Sequence, residues 1–254
     1  MKHKKVLIVI GVILGAAVLA ALVLGTLNAL IGNGEWTFGW TTYRYDDTGY
    51  EIGSGTVYTD RLTTLDVDWV DGRVEIVVCG DYYPSVSEKS SLELTDASHM
   101  RRHLSEDGEI LTVKYRKPSS FFGSEENKKK DLIVRIPQRM LTGLEELRVK
   151  VKSSEVVIDS LGFLKTDVIS TTGNVTLEYH PRMEEVNVES KSGSICVLSK
   201  DAPSMTLSYE LKKGTAPTLD FFFEEGSGCM VSKDGQTDVH VKSARGALTV
   251  KKMS

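Results

Sequence analysis

Apolar and polar residues alternate strictly along most of the chain beyond Tyr58, and the alternation pauses at short polar corners. The pattern is cleanest in Thr166-Asp-Val-Ile-Ser-Thr-Thr-Gly-Asn-Val-Thr-Leu177 and in Val186-Asn-Val-Glu-Ser-Lys-Ser-Gly-Ser-Ile-Cys-Val197. Each reads as alternating apolar residues, a corner with Gly, then more alternation. A period of two places the apolar side chains on one face and Asn, Glu, Lys and Thr on the other, so each phrase predicts a pair of half-buried strands. At the corners Gly tolerates positive φ, and the neighbouring Ser or Thr can hydrogen-bond the turn.

The phrase repeats. Gly173 and Gly193 are 20 positions apart, Gly214 follows after 21, and Ser153 takes the equivalent corner 20 positions before Gly173. Val239-His-Val-Lys-Ser-Ala-Arg-Gly-Ala-Leu-Thr-Val250 restates it, and Leu65-Asp-Val-Asp-Trp-Val-Asp-Gly-Arg-Val-Glu-Ile76 does so more weakly. A unit that cannot cover its own apolar face is buried by stacking on its neighbours, which predicts an all-β ectodomain built as a β-solenoid of about 20-residue coils. An antiparallel β-sandwich of hairpins is the alternative. In the solenoid Val168, Val175, Val188 and Ile195 point inward in register. Asn187 points outward, where an acid is expected to be almost silent.

Other stretches are less regular. Pro84 to Asp107 reads as a loop with short irregular strands, and Lys117 to Asp131 as a polar insertion whose Glu125-Glu126 and Lys128 to Lys130 run is expected to be solvated.

Ahead of the repeats, Val6 to Ile31 carries no charged residue, and its 26 residues would reach about 39 Å as a helix, against a hydrocarbon core of about 30 Å. A cleavable signal peptide has a shorter apolar region, so the length favours an uncleaved transmembrane helix. Lys2, Lys4 and Lys5 precede it, and Glu35 is the first charge after it. The positive-inside rule then gives residues 1–5 as a cytoplasmic tail, 6–31 as a single-pass anchor in the cell membrane, and an extracytoplasmic C-terminal domain. Residues 32–57 form an aromatic-rich juxtamembrane segment with Trp36, Phe38, Trp40, Tyr43, Tyr45 and Tyr50, and 58–254 the β domain. Such aromatics suit the headgroup layer, or a stacking platform for sugar rings.

The net charge of -4 excludes one class of partner. Without the three leading lysines the chain has 28 basic and 35 acidic residues, too acidic for a nucleic-acid binder.

Candidate chemistry is sparse. His99 and His103 have the spacing of a helical zinc pair, but Met100, Arg101 and Arg102 stand between them, so an exposed basic loop is expected. Asp66 and Asp68 fall on one face of a strand about 6.5 to 7 Å apart, a separation open to an inverting glycosidase. Polar strand faces commonly look the same. Cys79, Cys196 and Cys229 are an odd set. Cys196 and Cys229 each follow a Gly by three positions and could meet in neighbouring coils, but burial as small apolar fillers is the plainer expectation. No catalytic residue, metal ligand or cofactor site is read from these patterns.

The whole arrangement resembles the bacterial putative-adhesin family of membrane-anchored, uncharacterised β-solenoid domains. The likeness rests on the anchor, the strand, Asp71-Gly72, strand opening, Asp131-Leu-Ile-Val-Arg-Ile-Pro137, and the Ser-Gly coils. It extends to a close at Val231-Ser-Lys-Asp-Gly235 and Val239 to Val250, and so covers about Tyr58 to Lys252. Two corners depart from the family pattern, at Ser153-Ser154-Glu155 and Ala244-Arg245-Gly246. The resemblance implies an extracytoplasmic solenoid with a surface role and supplies no catalytic residues. The expected function is a non-enzymatic binding or adhesion-like module of the cell envelope. Its partners would be the membrane and either an envelope glycan or a membrane protein. An envelope-stress or regulatory accessory protein, touching a partner helix through Gly11 and Gly15, is the alternative, and a polysaccharide-active enzyme the remote one.

Overall fold

In Glu185–Ser190 the burial of successive residues alternates, with Val186 and Val188 inside and Asn187 and Glu189 outside, as the period of two requires. The same alternation builds strand after strand in the computed structural model, which describes residues 48–253 except 92, 95, 97, 117–128, 213–214 and 226–228. The expected tail, transmembrane helix and most of the aromatic segment lie outside the described residues, as do Gly11, Gly15 and Gly214. Among the described residues no helix is long and apolar enough to cross a membrane.

The described chain opens with β1 (Glu51–Ile52) and β2 (Gly55–Thr56), then β3 (Thr64–Trp69), which turns at Asp71-Gly72 into β4 (Arg73–Cys79). β5 (Ser85–Ser90), β6 (Arg101–Leu104), β7 (Ile110–Lys114) and β8 (Lys130–Pro137) follow, and a 3-10 helix spans Gln138–Gly143. Three regular coils come next: β9 (Glu146–Val151) with β10 (Glu155–Ile158), β11 (Lys165–Ser170) with β12 (Val175–Glu178), and β13 (Glu185–Ser190) with β14 (Ile195–Ser199). The chain continues through β15 (Met205–Leu211), β16 (Thr218–Leu219), β17 (Glu224–Glu225) and β18 (Met230–Ser232). It closes with β19 (Thr237–Ser243) and β20 (Leu248–Lys252).

Each coil contributes one strand to each of two sheets. Sheet A runs β1-β6-β7-β3-β9-β11-β13-β19-β15-β18-β17, and sheet B runs β16-β20-β14-β12-β10-β4-β8-β5-β2. The interior pairings are parallel, and antiparallel pairs occur only towards the two ends. The domain is therefore all-β with parallel sheets stacked as a solenoid, and hairpins of an antiparallel sandwich do not describe it. β1 and β2 belong to its first cap, so its strands begin a few residues ahead of Tyr58.

The core lies between the sheets. Val67, Val149, Val168, Val188 and Val241 line up in one inward row of sheet A, each at most 3% exposed. Val175 and Ile195 match them in sheet B. Each such valine contributes at least about 1.5 kcal/mol of apolar burial, and the repeated row makes those contributions cooperative along the stack.

Three of the corner glycines serve close approach rather than an unusual dihedral. Gly173, Gly193 and Gly246 are absent from the positive-φ residues. A Cβ on Gly173 would lie 1.6 Å from the carbonyl oxygen of Ser154, and one on Gly193 1.9 Å from that of Gly173. On Gly246 it would lie 1.9 Å from that of Gly193. Backbones therefore seat directly on backbones. This column, together with the pairing of Glu155 with Arg73, identifies Ser154, and not Ser153, as the corner residue of its coil.

Coil order departs from chain order at both ends. β3–β4 sits between β7–β8 and β9–β10, and the last coil of the chain, β19–β20, inserts between β13–β14 and β15–β16. The partner of Gly193 in the stack is thus Gly246, from the coil at the chain's end. Equal coils offer one another equal surfaces, so a repeat specifies the contact without specifying which copy makes it.

Candidate functional site

The outward positions of sheet A form cross-strand rows, because parallel in-register pairing sets like positions of neighbouring coils side by side. One row is Asp66, Arg148, Asp167, Asn187, His240 and Ser208. Beside it run Asp68, Lys150, Ile169, Glu189, Lys242 and Glu210. Strands about 4.8 Å apart make each row of six roughly 24 Å long. Both rows, apart from Asp68, line an open concavity of about 750 Å³.

Hydrogen bonds fix much of this face. Arg148 donates from Nε to Glu146 Oε1 at 2.8 Å and pairs with its other oxygen through Nη2. Asn187 Nδ2 donates to Asp167 Oδ1 at 2.8 Å and to Glu185 Oε1 at 2.7 Å, and Lys165 Nζ lies 3.6 Å from Glu185. The bond from Asn187 holds Glu185 below the usual carboxylate range. An acid at Asn187 would face two carboxylates, so this outward position is not a silent one. Ile169, 49% exposed, is an apolar spot in the middle of the charged rows.

Asp66 and Asp68 do share the outer face of β3, on either side of the buried Val67. Burial pushes the Asp66 carboxyl up, with Arg148 opposing the shift and Asp68 adding to it. Asp68 is exposed and sits opposite Lys150.

His99 and His103 are not on a helix. His103 belongs to β6 and His99 lies in the bend two residues before that strand, with Met100 and Arg101 buried between them. His99 Nδ1 meets Glu88 Oε1 at 2.7 Å, while His103 Nδ1 lies 2.9 Å from the Gly49 carbonyl oxygen. Extended backbone separates side chains four residues apart by roughly 13 Å, which is why the spacing yields no common ligand. Among the described residues no group of three or more His, Cys, Asp or Glu is placed to hold a metal ion.

Lys130, expected to be solvated, is fully buried instead. Its Nζ donates to the Ser98 carbonyl at 2.7 Å and stands 3.1 Å from Glu88 Oε2. The ring centroid of Tyr115 lies 4.3 Å away and that of Trp69 5.4 Å away. Trp69 Nε1 donates to the Lys130 carbonyl at 2.8 Å, so both ends of the lysine pin the first coils together. A buried ammonium is tolerable only with such partners.

The three cysteines are free and half-buried, so they are not core fillers. Cys196 faces outward on sheet B between Thr176 and Thr249, and burial raises the thiols of Cys79 and Cys196. Tyr58, Tyr82, Tyr83 and Arg139 form a surface cluster that the sequence patterns did not single out. Its only trace is Asp81-Tyr-Tyr-Pro84, two aromatics in a turn between strands.

Fold and surface define a class: an all-β parallel solenoid with polar, cross-strand rows on an open face. The chain belongs to the family described as Toastrack DUF4097, whose model matches residues 82–210, just over half of the sequence. No curated protein matches it. Among solved structures it is similar to one described as a putative cell adhesion protein from Clostridium sporogenes, at 16% identity and a TM-score of 0.61. That match covers 80% of this chain and 99% of the other, and it supports the fold. A putative adhesin from Bacteroides fragilis, 11% identical over 80% of this chain and 97% of its own, has a TM-score of 0.33 and adds nothing to that.

Proposed function

We propose that this protein is a non-enzymatic, adhesion-like binding module of the cell envelope. In this reading an N-terminal helix at 6–31 carries it on the outer side of the membrane, and it engages an extended glycan across the outer face of sheet A. The observation that carries the proposal is the pair of in-register polar rows over an open concavity, which repeats similar contacts at about 4.8 Å steps. A repeating surface suits a repeating polymer, whereas catalysis concentrates a few groups in a partly desolvated cleft. The description of the Clostridium sporogenes structure as a putative cell adhesion protein agrees with a binding role.

One observation favours a second reading. Asp66, whose carboxyl is pushed up by burial and further by Asp68 against the opposing Arg148, has the character of a general acid, as a glycan hydrolase would need.

The test is co-sedimentation of the full-length chain, in mild detergent, with isolated cell-wall glycan. Ile169→Asp with His240→Asp changes the face without entering the core and should abolish pelleting, while Thr176→Asp on sheet B should pellet as the native chain does. Retained binding in the first variant counts against the face. Release of reducing sugar that vanishes in Asp66→Asn with Asp68→Asn would establish the hydrolase instead. Protease added to intact cells should remove the domain, and full protection would reverse the proposed orientation.

A further inference from the structure

At the end of the solenoid nearest β2 and β5, three tyrosines, Tyr58, Tyr82 and the half-buried Tyr83, gather at the surface, while Trp69 and Tyr115 are buried in the core. Tyr58 is 78% exposed and Tyr82 63%. Lone surface aromatics need no explanation, but these are in mutual contact. The Tyr58 and Tyr83 rings are 5.4 Å apart at 67°, and those of Tyr82 and Tyr83 4.8 Å apart at 80°. Two chain segments supply them, and the Val57 amide ties the segments by donating to the Pro84 carbonyl at 2.8 Å.

A cation completes the group. The Arg139 guanidinium, at the start of the 3-10 helix, lies 3.9 Å from the Tyr82 centroid, and its Nε donates to the Tyr82 carbonyl at 2.8 Å. Beside Tyr82 opens a second concavity of about 420 Å³, lined by Cys79, Gly80, Asp81, Gln138 and Arg139. Tyr82, the ring of the cluster that lines this hollow, thus stands beside an acceptor carboxylate, an amide and a guanidinium, with Tyr83 and then Tyr58 in contact beyond it, an arrangement already ordered before any ligand arrives.

We propose that this cluster is a binding site for a neutral pyranose unit, separate from the outer face of sheet A. A pyranose presents an apolar C–H face, which an exposed tyrosine ring can cover, and a rim of hydroxyls that donate to Asp81 and Gln138 and accept from Gln138 and Arg139. Asp81 and Arg139 cancel in charge, so the hollow selects no net charge in its ligand. The headgroup layer of a membrane is the other surface that takes up Tyr and Arg. It has no use for a hollow between planar polar groups, or for rings set nearly at right angles to one another.

The experiment is titration calorimetry of the full-length chain in mild detergent with cellotetraose, the N-acetylglucosamine tetramer and mannotetraose. At least one should bind, and Tyr58→Ala, Tyr82→Ala and Asp81→Asn should each weaken it fivefold or more without moving the thermal midpoint. Ile169→Asp with His240→Asp should leave it unchanged, which separates this site from the sheet A face. Absence of binding to all three sugars at millimolar concentration overturns the proposal, as does binding that survives the tyrosine variants. So does extra quenching of a Tyr82→Trp variant by brominated lipid in phosphatidylcholine–phosphatidylglycerol vesicles, which would assign the cluster to the membrane surface.

Discussion

Replacing Gly193 with Ala inserts one methyl group into the column of stacked corners. The new Cβ would lie 1.9 Å from the Gly173 carbonyl oxygen, 2.5 Å from its carbon and 3.1 Å from the Asn174 nitrogen. Non-bonded carbon and oxygen settle near roughly 3.5 Å, so about 1.5 Å must be recovered by moving main chain. Overpacking a core of side chains, which can change rotamer, costs about 1–3 kcal/mol. Here both partners are backbone, held by bonds from Ser194 N to Asn174 Oδ1 at 2.9 Å and from Gly193 N to Ser190 Oγ at 2.8 Å. Gly193 also seats Gly246 above it, so any shift spreads to the next coil. We expect a loss of about 3–5 kcal/mol, which for a domain of this size lowers the midpoint by about 6–20 °C. Thermal melts of the full-length chain by circular dichroism measure it, with Gly143→Ala as the control, since nothing lies within 4 Å of a Cβ there. A Gly193→Ala midpoint within about 2 °C of the native one would show that the corners are not in contact and would refute the column.

Thr166 is fully buried in sheet A between Leu147 and Val186, and its hydroxyl has no partner, so Thr166→Val should raise the midpoint by about 2–4 °C, for roughly 1 kcal/mol; a fall would reveal a use for the hydroxyl. His180 is held below the ordinary imidazole range by burial and then by Arg182, whose amide donates to its Nδ1 at 3.1 Å. The unfolded chain therefore takes up the proton first, and stability is whole above about pH 6.5 and declines as pH falls through the depressed value. His180→Gln should flatten the midpoint between about pH 7 and 5, and an unchanged slope would place the pH dependence elsewhere.

How far the sequence reached can be seen in three places. The inward set of Val168, Val175, Val188 and Ile195 and the outward rows followed from period two alone, because side-chain direction in a strand is a local property of the backbone. The paired outward carboxylates of β3 were legible for the same reason. Contacts between segments distant in the chain were not. Lys130 sits within a charge run that reads as solvated, and only the approach of Glu88, Ser98 and Tyr115 from elsewhere in the chain makes its burial tolerable. Asn187 looks like any outward amide until Asp167 and Glu185 are placed beside it. Tyr58 and Tyr82 meet through Tyr83 across more than twenty residues, and no periodicity announces a cluster assembled from a turn, a strand end and a short helix.

The sequence by itself determined the coil: its two strands, its inward and outward faces and the small residue at its corner, all of which depend on interactions within a few residues. Only the tertiary structure decided the order of the coils. Nothing within the coil of Gly193 selects the coil of Gly246 as its neighbour, since the coils share one pattern. That β19–β20 enters the stack ahead of β15–β16 depends on which whole coils fill the space between the sheets. β15 also pairs with the antiparallel β18 on its outer side, leaving its other side for β19. That is a property of the assembled stack, which no single repeat encodes.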